Sequence, residues 1–231
     1  MAEIAALIFD VFGTLVDWRT SIAREIRSLA PQVDGEAFAD AWRRLYQPSL
    51  ERVRSGERPF AKLDVLHRES LDRLLPEFGL GHLDPPGRDR LNRTWHRLDP
   101  WPDVPEGLAR LRSRFVLAPL SNGNVSLLID LARHAGFQFD TVLSTELFQA
   151  YKPQPETYLG ACRLLDHCPG SVLMVAAHAD DLRAAGTNGL QTAFVARPLE
   201  WGHSTAFEPP AEAEFTFSVR DLHQLADRLG C

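Results

Sequence analysis

The stretch ALIFD, residues 6–10, runs four apolar residues into one carboxylate, Asp10, and Gly13 and Thr14 turn the chain directly afterwards. Charge is costly at the end of a buried strand unless it is paired, so Asp10 needs a chemical reason. Three further stretches deliver polar groups in the same manner. VLAPLSNGN ends in Ser121 and Asn122, SVLMVAAHADD ends in His178, Asp180 and Asp181, and YKPQPETY holds Lys152 just before Pro153 and Pro155 stiffen the start of a helix. Each group has an ordinary use. Asp10 and the Asp180/Asp181 pair suit helix caps, Ser121 and Asn122 suit turns, and Lys152 suits solvent. Four of them on one sheet edge point elsewhere, because open α/β sheets bind ligands outside the C-terminal ends of their strands.

The elements that must position these groups read as a rhythm of apolar strands and amphipathic helices. Strands are expected at residues 4–9, 114–121, 141–144, 171–177, 191–196 and 214–218, and helices at 104–113, 124–135, 153–166, 181–188 and 219–229. Continuous apolar strands alternating with helices imply an α/β fold, a doubly wound, Rossmann-like parallel sheet covered on both faces. Residues 17–98 interrupt the rhythm with Arg, Leu and Trp at helical spacing, as in AFADAWRRLYQPSLERV and KLDVLHRESLDRLL, broken at Pro31, Gly35, Gly56, Pro59 and the DPPG of 84–87. They are expected to form a helical cap inserted after the first strand, with residues 1–16 and 99–231 as the core domain.

Composition bounds the partners. With 45% hydrophobic and 24% charged residues, the 231-residue chain is an ordinary soluble globular protein, and its net charge of −6 argues against nucleic acid or a membrane surface as a partner. An anionic substrate would have to be drawn in by local positive groups. Cys162, Cys168 and Cys231 are too few and too irregular for a disulfide framework or a zinc site. MAEIAALIFD has no basic region or cleavage signal, and no apolar run approaches the length of a membrane span. A cytoplasmic location is therefore expected, with a homodimer as the expected assembly.

FDVFGTL, LSNG, YKPQPETY and VAAHADDLRAAGTNGLQTAFVARP together resemble the four ordered motifs of the haloacid dehalogenase superfamily, over essentially the whole chain. Within it the chain is most similar to the type II L-2-haloacid dehalogenases. These share a D-x-[FY]-G-T-L-x-D opening, a W-R pair in the cap (here Trp42–Arg43), S-N-G and K-P-x-P-x-x-Y. Phosphatases of the superfamily read D-x-D-x-T and use further acids, usually G-D-x-x-x-D, to hold the magnesium that neutralises phosphate charge. Here Phe12 stands for the second Asp, and aligning Asp181 with the last acid puts Ala176 and Ala177 at G-D. The expected site is therefore metal-free, with no cofactor and a small 2-haloacid as substrate. Asp180 keeps a magnesium-dependent phosphatase open as an alternative, and a non-catalytic small-anion-binding relic is a second.

The resemblance implies roles residue by residue. Asp10 would be the nucleophile that forms an aspartyl ester, positioned by Thr14 and kept ionised by Lys152, with Asp181 holding Lys152 and orienting water. Ser121, Asn122 and the backbone N–H groups near Val11–Phe12 would bind the substrate carboxylate, and Arg43 and Asn122 the leaving halide, with Phe60 as an aromatic wall. Where several relatives carry Ser-Ser-Asn, this chain has Ala176, Ala177 and His178. His178 is expected to titrate near pH 6.5 and to position or deprotonate the ester-cleaving water, with Asp180 and Asp181 raising its pKa if they lie close.

Overall fold

Asp10 sits where it does because β1 (Ala6–Phe9) is fully buried on both sides and ends at the C-terminal edge of the sheet. In the computed structural model, which describes residues 2–203 and 205–231, the chain turns through β2 (Val16–Asp17) into α1 (Trp18–Leu29), α2 (Gly35–Arg44), α3 (Tyr46–Arg54), α4 (Leu63–Leu74) and α5 (Pro85–Asn92). It returns through β3 (Asp99–Pro100) to α6 (Val104–Arg112), β4 (Val116–Ser121), α7 (Val125–Ala135), β5 (Leu143–Ser144) and α8 (Pro155–Leu164). It finishes with β6 (Val172–Ala176), α9 (Ala179–Thr187), β7 (Gln191–Val195), β8 (Phe217–Val219) and α10 (Leu222–Leu229).

Six strands form one parallel sheet in the order β5-β4-β1-β6-β7-β8. The chain leaves β1 towards β4 and β5, then crosses back to β6 on the other side. Asp10 therefore stands at the point where the strand order reverses, the place open α/β sheets use for ligands. Alternation of side chains across the sheet builds the core. Leu7 and Phe9 join one apolar cluster with Leu117 and Val175, while Ile8 joins another with Ala118 and Met174.

The first cluster continues without a break into the helical segment, through Phe12, Trp18, Trp95 and Trp42. Trp18 stacks on Trp95 at 6.4 Å between centroids, and Phe12 meets Trp95 edge-on at 5.5 Å. Polar joints add to the apolar contact: His96 lies 3.0 Å from Asp64 on α4 and 2.8 Å from Asp130 on α7.

Some expected bounds shift for reasons the ladder supplies. The strand expected at 141–144 shrinks to Leu143–Ser144, which pair only with Leu120 and Ser121 at the sheet edge. The strand expected at 214–218 becomes Phe217–Val219, in register with Ala193–Val195. The helix expected from 153 begins at Pro155, which needs no N–H partner there. The helix expected from 181 begins at Ala179, so Asp181 lies in its first turn, where an acid is favoured by the helix dipole. The antiparallel pair β2–β3 was not expected, since two residues per strand carry no readable alternation.

Helices α1 and α2 start on acids: Asp17 accepts from the Thr20 N–H, and Asp34 from those of Glu36 and Ala37. Helices α1 and α2 approach closely because Gly35 has no side chain. A Cβ at this position would lie 2.4 Å from the Ala23 carbonyl oxygen, a backbone atom that cannot swing aside. Gly35→Ala should therefore destabilise the protein by about 1–3 kcal/mol by overpacking, although alanine is the better helix former. Chemical denaturation reads this directly; a neutral or stabilised variant would show that the helices separate at little cost.

Candidate active site

Asp10 is 7% exposed and carries three donors. Lys152 Nζ donates to Oδ1 at 2.8 Å, Thr14 Oγ1 donates to Oδ2 at 2.7 Å, and His178 Nδ1 lies 3.1 Å from Oδ2. The Asp10 N–H donates to the Val175 carbonyl on β6, which pins the backbone between strands. The Ala177 N–H donates to Thr14 Oγ1 at 2.9 Å, so the threonine hydrogen is free to face Asp10. Lys152 Nζ also donates to Asp181 Oδ2 at 2.6 Å, and the Tyr158 hydroxyl donates to Asp181 Oδ1 at 2.5 Å. Asn122 locks the lysine's own backbone: its Oδ1 accepts from the Lys152 N–H, and its Nδ2 donates to the Tyr46 hydroxyl.

His178 bridges two carboxylates, because its Nε2 lies 3.1 Å from both oxygens of Glu200. Glu200, in the loop after β7, is 5% exposed and also accepts from the Trp18 indole N–H at 3.1 Å. Gly13 makes room for it. A Cβ on Gly13 would fall 2.1 Å from Glu200 Oε1, and the residue's φ of 87° is one glycine adopts freely.

A cavity of about 810 Å3 opens beside Asp10, walled by Phe12, Arg43, Tyr46, Asn122, Lys152 and His178. Trp42 and Arg43 divide their labour by helical geometry. Trp42 is buried and donates its indole N–H to the His67 carbonyl, while Arg43 reaches the cavity. The Arg43 guanidinium lies 4.4 Å from the Tyr46 ring centroid and 5.4 Å from that of Trp18, and its buried Nη1 has no hydrogen-bond partner among the described residues. An unpaired buried donor costs roughly 1–3 kcal/mol, which marks Nη1 as poised for an acceptor that the chain itself does not supply.

The electrostatics follow from these pairings. Burial alone would raise the Asp10 pKa, but the Lys152 charge and then the His178 hydrogen bond hold it well below the usual carboxylate range. Burial would depress Lys152, and Asp10 and Asp181 more than reverse this. Burial also works against a charged His178, yet Glu200 and Asp10 push it up to about 10. The residues that raise it are therefore not Asp180 and Asp181, as the sequence suggested, and its titration lies far above 6.5. With a carboxylate facing each ring nitrogen, the surroundings of His178 favour the imidazolium, which has no free lone pair with which to deprotonate water.

Of the residues expected at the site, Asp10, Thr14, Phe12, Asn122, Lys152, His178, Asp181 and Arg43 are brought together around one carboxylate and its cavity. Phe60 is not on the cavity wall: it packs on the Tyr151 ring at 5.1 Å between centroids. Ser121 is fully buried, and its hydroxyl accepts from the Gly123 N–H, so it shapes the turn behind Asn122. Val11 is buried in the apolar cluster, leaving only its backbone to offer. Asp180 stands at the rim with its side chain 94% exposed and paired with Arg183. Sequence reading missed Glu200, Tyr158, Tyr46 and Trp18. The rule that found Ser121 and His178, applied to the strand at 191–196, leads straight to the RPLE loop and Glu200, and Tyr158 lies inside YKPQPETY.

A model of the haloacid dehalogenase-like hydrolases matches residues 4–189. The chain belongs to this family. This hydrolase is 32% identical to (S)-2-haloacid dehalogenase 1 of Pseudomonas sp. (strain CBS-3), over 99% of each chain. Its fold superposes on that of the L-2-haloacid dehalogenase PA0810 with a TM-score of 0.94 at 46% identity, covering 98% of this chain and 99% of the other. A third relative, the L-2-haloacid dehalogenase of Xanthobacter autotrophicus with chloropropionic acid covalently bound, gives a TM-score of 0.82 at 27% identity over 98% of each chain. No helix among the described residues is long and apolar enough to cross a membrane.

The His178 pairing has a consequence for stability. Because the folded pKa is raised, the folded state keeps a proton that the unfolded chain has released. Its contribution is thus complete below pH 6.5 and is lost as pH rises through about 10. The unfolding free energy of the wild type should fall across that window more steeply than that of His178→Asn. Parallel slopes for the two proteins would show that the imidazolium is not held.

Proposed function

We propose that this hydrolase converts short 2-haloalkanoic acids to 2-hydroxy acids through an ester on Asp10, without a metal ion. The reading is carried by one observation: Asp10 is a buried carboxylate held ionised by a lysine and a histidine beside a cavity walled by Phe12, and Phe12 and Ala177 stand where a magnesium site would have acids. An ionised carboxylate among fixed cations suits displacement at an sp³ carbon. One Asp10 oxygen attacks C2, the carbon–halogen bond breaks with its electron pair leaving on the halide, and C2 is inverted. Arg43 Nη1, with the remaining N–H of Asn122, receives the halide as its charge develops. The substrate carboxylate is taken by the backbone N–H groups of Val11 and Phe12. Phe60 has no part in the halide cradle, and Ser121 acts through the turn that it closes.

Water then attacks the ester carbonyl carbon and releases the 2-hydroxy acid. With His178 already protonated, Asp181 is the carboxylate that accepts a proton from this water, held in position by Lys152 and Tyr158. Residues 17–98 serve as the cap, carrying Arg43 and Tyr46 over the core. The names and folds of the relatives support this assignment.

Halide release should be measured with chloro-, bromo- and fluoroacetate and with both enantiomers of 2-chloropropionate, with and without EDTA. Release from the (S) enantiomer, undiminished by EDTA, is the expected outcome. Turnover abolished by EDTA and restored by magnesium, or a phosphate ester consumed in its place, would reverse the assignment.

Arg43→Ala should lower kcat by roughly 10²–10³, the scale for losing one preorganised donor, and should hurt chloro-substrates more than bromo-substrates because chloride is the poorer leaving group. Arg43→Lys should recover only part of the loss, since a flexible point charge cannot reproduce the planar fork. Equal losses for both halogens, with only KM raised, would move Arg43 to carboxylate binding.

A further inference from the structure

Glu200, the second carboxylate that faces His178, has no part in the reaction as derived so far. Both imidazole nitrogens face carboxylate oxygens: Nδ1 faces Asp10 Oδ2, and Nε2 faces both oxygens of Glu200. A neutral imidazole offers one N–H only and would set a nitrogen lone pair against one of these carboxylates. The doubly protonated ring satisfies both sides. Glu200 cannot turn away easily, being 5% exposed, held by the Trp18 N–H and fitted over the bare Cα of Gly13.

The two oxygens of Asp10 are not equivalent. Oδ2 receives Thr14 Oγ1 and His178 Nδ1, and two donors engage both of its lone-pair directions; among the described residues Oδ1 receives Lys152 alone and keeps one free. Oδ1 is therefore the oxygen available for attack on carbon, and Oδ2 becomes the carbonyl oxygen of the ester.

We propose that Glu200 is a positioning residue that keeps His178 cationic, so that His178 Nδ1 and Thr14 Oγ1 form the donor pair for the oxyanion that develops on Asp10 Oδ2 during ester hydrolysis. This role rests on the aspartyl-ester reading. In the step itself, the water oxygen bonds to Asp10 Cγ, and the carbonyl π pair moves onto Oδ2 as the proton passes to Asp181. On collapse the pair returns, the bond from Cγ to the ester oxygen breaks, and that proton goes to the departing alkoxide. The second water proton is lost to solvent as Asp10 re-ionises. His178 gives up no proton at any stage; it strengthens a hydrogen bond as its acceptor turns from neutral ester oxygen to anion. That growth is what makes such a contact catalytic.

Every charged group around the ring fits this division. Asp10 and Glu200 face it directly, Lys152 acts on Asp10 from the far side, and Arg43 acts on Glu200. Removing the Glu200 charge leaves His178 with Asp10 as its sole anionic partner. Asp10 loses its charge once it becomes an ester, so the imidazolium would then be unsupported just when hydrolysis needs it.

Glu200→Gln keeps the shape and the acceptor for Trp18 while removing the charge. With 2-chloropropionate it should release about one halide per enzyme in a rapid burst, then turn over about 10²–10³ times more slowly than wild type, the scale for one preorganised donor. Acid-quenched enzyme should carry the adduct on Asp10 by mass spectrometry, and the variant's activity should fall above neutral pH where the wild type's does not. Glu200→Asp, which restores the charge on a shorter arm, should recover part of the rate and of the pH profile. If Glu200→Gln kept wild-type turnover and pH dependence, or lost the burst in the same proportion as turnover, Glu200 would be structural only. Should Glu200→Gln not fold, ¹⁵N NMR of the wild-type imidazole decides: His178 doubly protonated at pH 8 supports the role, and a neutral ring overturns it. A wild-type enzyme that releases no halide would refute the aspartyl-ester reading itself, a result distinct from active wild type with an unaltered Glu200→Gln.

Discussion

Keeping Asp10 ionised away from water is the constraint on which the site depends. The solution is a row of alternating charge, Asp181–Lys152–Asp10–His178–Glu200, in which each cation lies between two carboxylates. Buried ion pairs are weak evidence of stability, because desolvation opposes their attraction. The row makes sense as preorganisation: it fixes the direction of every donor around the Asp10 carboxyl before a substrate arrives. It also carries one more negative charge than positive, and the Arg43 charge lowers the Glu200 pKa from outside the row. An incoming acid meets a cavity wall that presents the Arg43 guanidinium, whose Nη1 has no partner among the described residues.

The fold delivers this row from separated parts of the chain. Asp10 follows β1, Asn122 follows β4, Lys152 follows β5, His178 follows β6 with Asp181 in the first turn of α9, and Glu200 follows β7, all at the C-terminal edge of the sheet. The helical segment adds Arg43 and Tyr46 from one side and reaches the row through Trp18, which holds Glu200. Trp18 also stacks on Trp95, and Trp95 meets Phe12 and Trp42. The aromatic cluster that joins the helices to the sheet is thus the same one that orients the cavity wall.

Much of this was legible in the residues. Apolar runs ending in polar groups identify Asp10, His178 and Asp181, because a strand buried on both faces leaves only its end free for chemistry, and Lys152 stands out where the prolines of YKPQPETY start a helix. Phe12 and Ala177 indicated a site without the acids of a phosphatase. What the sequence hid depends on contacts made across long separations. Nothing local to His178 reveals that Glu200, 22 residues on, supplies its second carboxylate, so its titration was placed too low and credited to the wrong acids. Phe60 looked like a wall because aromatic residues suit one, but its ring packs on Tyr151 instead. Two-residue strands such as β2 and β3 carry no periodicity, and only their pairing reveals them.

The central claim is that Asp10, rather than water, attacks the carbon bearing the halogen. A single turnover in heavy-oxygen water, with enzyme in excess over 2-chloropropionate, tests it most directly. The oxygen delivered to the first product must come from Asp10 itself, so the product should be unlabelled and the peptide containing Asp10 should gain one heavy oxygen by mass spectrometry. Heavy oxygen in the first product with an unlabelled Asp10 would mean that water attacks C2 directly and that Asp10 acts as its base.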